Sequence, residues 1–323
     1  MNGTKTWGVK CMKVLVAGGC GFVGSNYINY VLKKHKKDKV VCVDIADKNL
    51  LLKEQKGNVK HIKANITNKK DIFAIFEKEK PDYVINFADI NKRSFEYAQY
   101  AKTNVIGTTI LLDACNKYKV KKYHQVSTAE VYGELPLGRE MFYSEKSPLH
   151  PTSQYGATKA ASDLIAQSYF ETFKVPVVIS RAVNVYGPYQ KIDKQIPSQI
   201  IKAVKGEKLD IYGTGADVRD WVHIDDYVKA LDLVTRKGVE GEIYNIGSHN
   251  EIRSIYLVRI ILNESDKPED LIVYHENRRG KERRNALDYS KIEKELGWSP
   301  KIDFADGMRK TIEWYTKNSG KLK

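Results

Sequence analysis

Between Met12 and Ser180, short runs rich in Val and Ile alternate with longer stretches whose apolar residues recur at helical spacing. This alternation constrains the fold more than any other feature of the chain. The runs cover 13–17, 40–44, 59–64, 83–87, 122–127 and 176–180, and stretches such as 24–34 and 103–118 lie between them. Several runs carry few charges, as strands buried on both faces must, so the pattern predicts a parallel sheet covered by helices on each side. After Tyr186 the alternation fades and Gly and Pro become denser. We therefore expect a doubly wound α/β domain over 12–182 and a smaller α/β substrate-binding domain over 183–323, with an interleaved boundary. There is no internal repeat or long linker, and residues 1–11, with Trp7, receive no assignment.

The first run opens directly into Gly18-Gly19-Cys20-Gly21-Phe22-Val23-Gly24. Glycines at 18, 21 and 24 between a strand and a helix let a backbone approach a pyrophosphate, which the helix N-terminus then stabilises. Asp44 ends the second run, 20 residues beyond Gly24. A carboxylate there accepts hydrogen bonds from a ribose 2′-hydroxyl and repels a 2′-phosphate, which favours NAD over NADP. The pattern predicts a Rossmann-type cofactor domain holding NAD through Gly18, Gly21, Phe22, Val23, Gly24 and Asp44. Asn65 and Ile66 are candidates beside the adenine, and Ala88, Thr103 and Ser127 along the groove.

Tyr155 and Lys159 stand four residues apart in a segment that opens a helix, after Ser127-Thr128-Ala129-Glu130 at the end of a strand. That spacing stacks two side chains on one helix face. A tyrosine takes a proton from a hydroxyl only if its pKa falls well below ~10, and a neighbouring ammonium, helped by an oxidised nicotinamide, lowers it. Tyr155 is thus the expected general base, with Lys159 as its partner and as a cofactor contact.

Composition narrows the setting. Hydrophobic residues are 42% and charged residues 29% of the 323, with 22 Gly and 9 Pro, a globular profile. No apolar run nears the roughly 18 residues of a membrane span, and 1–10 lacks the apolar stretch of a signal peptide, so a cytoplasmic protein without a membrane partner is expected. Cys11, Cys20, Cys42 and Cys115 show no paired metal-ligand spacing and are read as thiols, with no metal centre. The net charge of +14 invites a nucleic-acid reading. The lysines are scattered over 33–37 and 119–122 with no interleaved aromatic platform, which fits a solvated surface and no nucleic-acid partner.

Together these residues resemble the extended branch of the short-chain dehydrogenase/reductases, and within it the nucleotide-sugar 4,6-dehydratases, most closely those acting on dTDP-glucose. The resemblance runs from Lys13 to about Tyr315. Besides the glycine loop and the Tyr155/Lys159 pair it rests on Glu130-Val131-Tyr132-Gly133, Arg181, Asn184-Val185-Tyr186-Gly187-Pro188, Ile211-Tyr212-Gly213, Val218-Arg219-Asp220-Trp221, Tyr244-Asn245-Ile246-Gly247 and Glu295-Leu296-Gly297-Trp298.

The resemblance implies one site and three steps. Tyr155 removes the O4 proton while NAD takes hydride from C4, with Thr128 bonded to the same oxygen. Glu130 removes the C5 proton and water leaves from C6. The hydride then returns to C6, giving a 4-keto-6-deoxy sugar. For the nucleotide diphosphate and its sugar it implies Arg219, Arg283, Asn184 and Asn245, with Lys194, Ile196, Pro197 and Tyr212 around base and ribose. Arg278, Arg279 and Arg284 read as surface charges. It also implies a homodimer joined through the helix over 103–118 and the one starting at Tyr155.

Two departures stand out. Ala129 occupies the place where the dTDP-glucose enzymes carry an aspartate that protonates the leaving hydroxyl. Another group or water, redirected chemistry on the 4-keto intermediate, or an introduced substitution would each account for it. The loop over 87–94 is about two residues shorter than the family's and lacks its histidine and glutamate; Asp89 and Lys92 are the groups that could compensate, though each reads first as a solvated loop residue. Lys281 and Asn285 replace a usual histidine and tyrosine, so uridine and thymidine nucleotides both stay open. So do a 4-epimerase or decarboxylase, the latter needing a carboxylate-binding arginine such as Arg93 or Arg181, and a nucleotide-sugar binder without activity.

Overall fold

The computed structural model describes residues 11–47, 50–53, 59–90, 96–138, 140–277 and 283–321. Trp7, Lys92, Arg93, Arg278, Arg279 and Lys281 lie outside the described residues. Thirteen strands are described: β1 Lys13–Ala17, β2 Lys39–Asp44, β3 Val59–Lys63, β4 Tyr83–Asn86, β5 Lys122–Thr128, β6 Val177–Ala182, β7 Asn184–Tyr186, β8 Leu209–Tyr212, β9 Val218–His223, β10 Ile243–Ile246, β11 Glu251–Arg253, β12 Ile272–His275 and β13 Arg284–Asn285.

Seven of them form one parallel sheet in the order β10-β6-β5-β4-β1-β2-β3. The order reverses between β1 and β4, which opens a crevice beyond the carboxyl ends of those strands. Within β1, successive side chains point to opposite faces. Val14 and Val16 join a core with Tyr27, Ile28 and Val31 of the helix Phe22–Lys34 and with Leu231 and Val234 of the helix Ile224–Lys237. Leu15 and Ala17 join a second core with Ile72 and Phe76 of the helix Lys69–Glu79 and Leu111 of the helix Thr108–Tyr118. Charge-poor strands are what this double coverage requires.

The chain does not leave the large sheet for good at Tyr186. Strand β10 pairs with β6 in parallel, and the helix Ile224–Lys237 covers the sheet. Before and after these returns, β7, β9, β11 and β13 form a small sheet and β8 pairs with β12. Their core gathers Ile196, Ile200, Leu209, Trp221, Leu257, Phe304 and Tyr315. A further difference from the sequence pattern lies over 101–107, where the backbone is π-helical before continuing as an α-helix from Thr108. A π segment winds more residues per turn, so each flank keeps helical spacing while the phase shifts across it, and that shift is too small to announce itself in the sequence.

Candidate active site

The glycine loop follows β1 and ends in the helix Phe22–Lys34. Gly18 has φ +76, and a side chain on it would meet the Ala88 amide at 2.6 Å, so the turn requires glycine. Gly21 caps the helix without a side-chain bond, and its first turn carries no acidic residue. The amides of Phe22, Val23 and Gly24 thus open a positive helix end suited to a phosphate. Asp44 Oδ2 accepts from the Cys20 amide at 2.8 Å and Oδ1 from the Ala46 amide at 2.9 Å, which fixes the carboxylate at the end of β2. This cradle and its carboxylate fit NAD.

Around the groove, Ile66 is buried and Asn65 is exposed, its Oδ1 accepting from the Thr67 amide at 3.0 Å. Ala88 lies against Gly18, and Thr103 sits in the π-helical segment. The Ser127 hydroxyl is buried and donates to Asp163 at 2.9 Å, which leaves its main chain as what it offers a cofactor.

Catalytic candidates converge from three elements. Thr128 ends β5 and caps the short helix Ala129–Val131, accepting from the Glu130 amide at 3.3 Å. The helix Gln154–Phe173 begins at Ser153, whose Oγ accepts from the Gly156 amide at 3.0 Å and donates to Glu130 Oε2 at 3.0 Å. One cap therefore starts the helix bearing Tyr155 and orients Glu130. Lys159 follows one turn later, buried, donating to the Val126 carbonyl at 2.6 Å.

In the sequence, Asp89 reads first as a solvated loop residue and only second as a compensating group. It follows β4, the neighbour of β5, and its Oδ2 accepts from the Tyr155 hydroxyl at 2.8 Å while Lys159 Nζ stands 3.8 Å away. Its side chain is about one-fifth exposed (21%), so it is not the solvated residue expected. Lys159 by itself does not lower the Tyr155 pKa. Loss of solvation, with the Asp89 and Glu130 carboxylates, holds the phenol well above its ordinary value. The short 87–94 loop offered one signal, a carboxylate directly after a strand whose end borders the crevice.

Three more expectations change. Asn245 is fully buried in β10, accepting from the Tyr132 hydroxyl at 2.9 Å and donating to the Tyr143 carbonyl at 2.9 Å, so its side chain braces the core rather than facing a ligand. Arg181 donates to Asp163 at 3.0 Å and to Tyr132 at 2.9 Å, which removes it as a carboxylate receptor. Arg284 is buried and bonded twice to Glu251, at 2.5 and 2.8 Å, so it is no surface charge.

Among the nucleotide candidates, Asn184 and Arg219 lie on the small sheet, where Arg219 pairs in register with Asn285. Lys194 precedes the helix Gln195–Lys205, Ile196 and Pro197 are buried in its first turn, and Tyr212 ends β8 beside His275. Arg283 is exposed and donates to Glu134 at 2.8 Å.

A family model described as GDP-mannose 4,6 dehydratase matches residues 15–311. A dTDP-glucose 4,6-dehydratase of Haemophilus influenzae is 39% identical over 95% of this chain and 99% of its own length. The chain belongs to the nucleotide-sugar 4,6-dehydratases. Among solved members of this family, the Bacillus anthracis dTDP-glucose 4,6-dehydratase in complex with NAD superposes with a TM-score of 0.90. It is 37% identical over 97% of this chain and 100% of that one. A Streptomyces venezuelae dTDP-glucose 4,6-dehydratase with NAD bound has a TM-score of 0.91, at 35% identity over 97% and 99%. Among the described residues, no helix is long and apolar enough to cross a membrane.

Proposed function

We propose that the chain converts a nucleoside-diphosphate glucose, dTDP- or UDP-linked, into its 4-keto-6-deoxy derivative, using NAD as a resident cofactor. The observation that carries this reading is the meeting of Tyr155, Lys159, Asp89, Glu130 and Thr128. Gly18, Gly21, Phe22, Val23 and Gly24 would hold the pyrophosphate, Asp44 the adenosine ribose, Asn65 and Ile66 the adenine. Ala88, Thr103, the Ser127 main chain and Lys159 would line the remaining groove. Bound there, NAD supplies a hydride acceptor at C4 and a donor at C6.

Tyr155 receives the O4 proton, with Thr128 orienting that oxygen. Asp89 holds the phenol protonated in the free enzyme, so that proton has to leave to solvent before Tyr155, as phenolate, takes the one from O4. Glu130, set by Ser153, takes the C5 proton that the 4-ketone acidifies. Ala129 is buried in the core and has no proton to give. Glu130 is then the acid within reach of this chemistry, returning its proton to the departing hydroxyl as water and regaining its charge. Arg219 and Arg283 would hold the diphosphate, with Asn184, Lys194, Ile196, Pro197 and Tyr212 about the sugar and base.

The division into a cofactor part over 12–182 and a substrate part over 183–323, crossed by β10, belongs to the same reading. So does a homodimer, which exposed Ile106, Leu164 and Phe173 support. A cytoplasmic setting is supported by four cysteines without a disulfide.

Incubation with dTDP-glucose and, separately, UDP-glucose tests the function. Loss of one water from either sugar supports it and names the base. An isomeric sugar of unchanged mass would identify a 4-epimerase instead and sink the proposal.

A further inference from the structure

Beneath the glycine loop lies a cluster that the dehydratase reading does not use. Cys20 hangs from the loop, and Cys42 and His61 are register partners on the neighbouring strands β2 and β3, so their side chains share one face of the sheet. The two sulfurs are 3.8 Å apart. One ligand atom from each of the three residues lies within 4.8 Å of the others.

We propose that Cys20, Cys42 and His61 form a binding site for a soft, thiophilic cation of the zinc and cadmium class, with two sulfurs and one imidazole nitrogen as ligands. Thiolates at about 2.3 Å from a tetrahedral centre stand about 3.8 Å apart, so the two sulfurs are already at bridging distance. Thiolate with imidazole is a donor set that selects zinc-like ions over hard cations such as magnesium. Only the His61 ring has to draw inward.

The outer contacts fit the assignment. His61 Nε2 lies 3.2 Å from the Ala46 carbonyl oxygen, a bond of the kind that orients a ligating imidazole. Cys20 and Cys42 are buried and His61 is half-buried, so an ion would enter from the His61 side and a fourth position would face the same way. The Cys20 and Ala46 amides both donate to Asp44, which ties the cluster to the adenosine end of the cofactor groove. Loading converts two thiols to thiolates and releases two protons per divalent ion, so apparent affinity rises with pH. The site stands whether or not the chain is a dehydratase.

The test is titration of the reduced, full-length protein with cadmium chloride, followed by thiolate-to-cadmium charge-transfer absorption and by proton release at constant pH. One equivalent is expected, with a band worth two thiolates and two protons released. Cys20→Ala should abolish the band, His61→Ala should weaken binding at least about tenfold, and Cys11→Ala, at an exposed thiol elsewhere, should change nothing. A missing band, a band worth one thiolate, or a band retained in Cys20→Ala overturns the proposal. The wild-type band and proton count decide the matter even if a variant does not fold. The two cysteines would then be packing as small apolar side chains.

Discussion

The Tyr155 hydroxyl donates to Asp89 at 2.8 Å, while Lys159 directs its ammonium to the Val126 carbonyl and stands 3.8 Å from that same carboxylate. An anion that accepts the phenol's proton favours the protonated form, both by charge and by the hydrogen bond. Removing that anion therefore lowers the Tyr155 pKa. In Asp89→Asn the alkaline rise of kcat/KM should begin at lower pH than in the wild type, and an unmoved limb would refute this role for Asp89. Tyr155→Phe should cost ~10²–10⁴-fold in kcat with KM nearly unchanged, because the lost group acts on the transferred proton. Steady-state kinetics on the sugar that loses water separates the two constants. The Tyr155/Lys159 spacing was legible in the sequence because a helix fixes which side chains share a face. Asp89 was not, since its contact with Tyr155 spans 66 residues and depends on β4 lying beside β5. Asn245 shows the converse: Tyr244-Asn245-Ile246-Gly247 is easily noticed, yet nothing local tells whether an amide faces a ligand or the core.

Strands β1, β2, β4 and β6 were readable because their central residues, buried on both faces, form short apolar runs, whereas β3 at the edge of the sheet has no buried residue. The place of β10 was not readable, because joining β6 depends on a return from the small domain rather than on any pattern in 243–246. At this same level His124 fastens β5 to its cover. Thr235, on the helix Ile224–Lys237, gives its own proton to the Leu231 carbonyl at 2.7 Å, so it accepts from His124 Nδ1 at 2.8 Å. Nε2 is then left to accept from Ser180 of β6 at 2.8 Å. Burial, with Lys122 nearby, lowers the imidazole from 6.5 to about 3. Between those values the unfolded chain binds a proton that the folded chain refuses. Stability falls as pH drops from 6.5 toward 3, by up to about 1.4 kcal/mol per pH unit from this group. Urea denaturation of wild type and His124→Gln at pH 6 and pH 4 should show the steeper loss in the wild type. Equal slopes would mean that His124 is not held neutral.

Across the molecule, the net charge of +14 gave no guidance to function, because lysine on a solvated surface carries no positional information. The helix Gln154–Phe173 says more. Its inner face buries Lys159, Ala160, Asp163 and Ala166 against the sheet, yet Leu164 is 56% and Phe173 52% exposed on the other side. Ile106, 51% exposed, precedes the adjoining helix Thr108–Tyr118. A helix apolar on both sides needs a second cover, and one sheet supplies only the first. A second copy of the chain presenting the same surface would bury these side chains about a two-fold axis, each contributing ~1.5–3 kcal/mol if fully covered. Glutamate there desolvates a charge against its symmetry mate and adds repulsion. The double substitution Ile106→Glu with Leu164→Glu should therefore convert a dimer to a monomer in light scattering at micromolar concentration. Because both positions point away from the sheet, the folded monomer should survive with its far-UV circular dichroism intact. A wild-type chain that scatters as a monomer would mean that this apolar face has some other cover, and the homodimer would have to be abandoned.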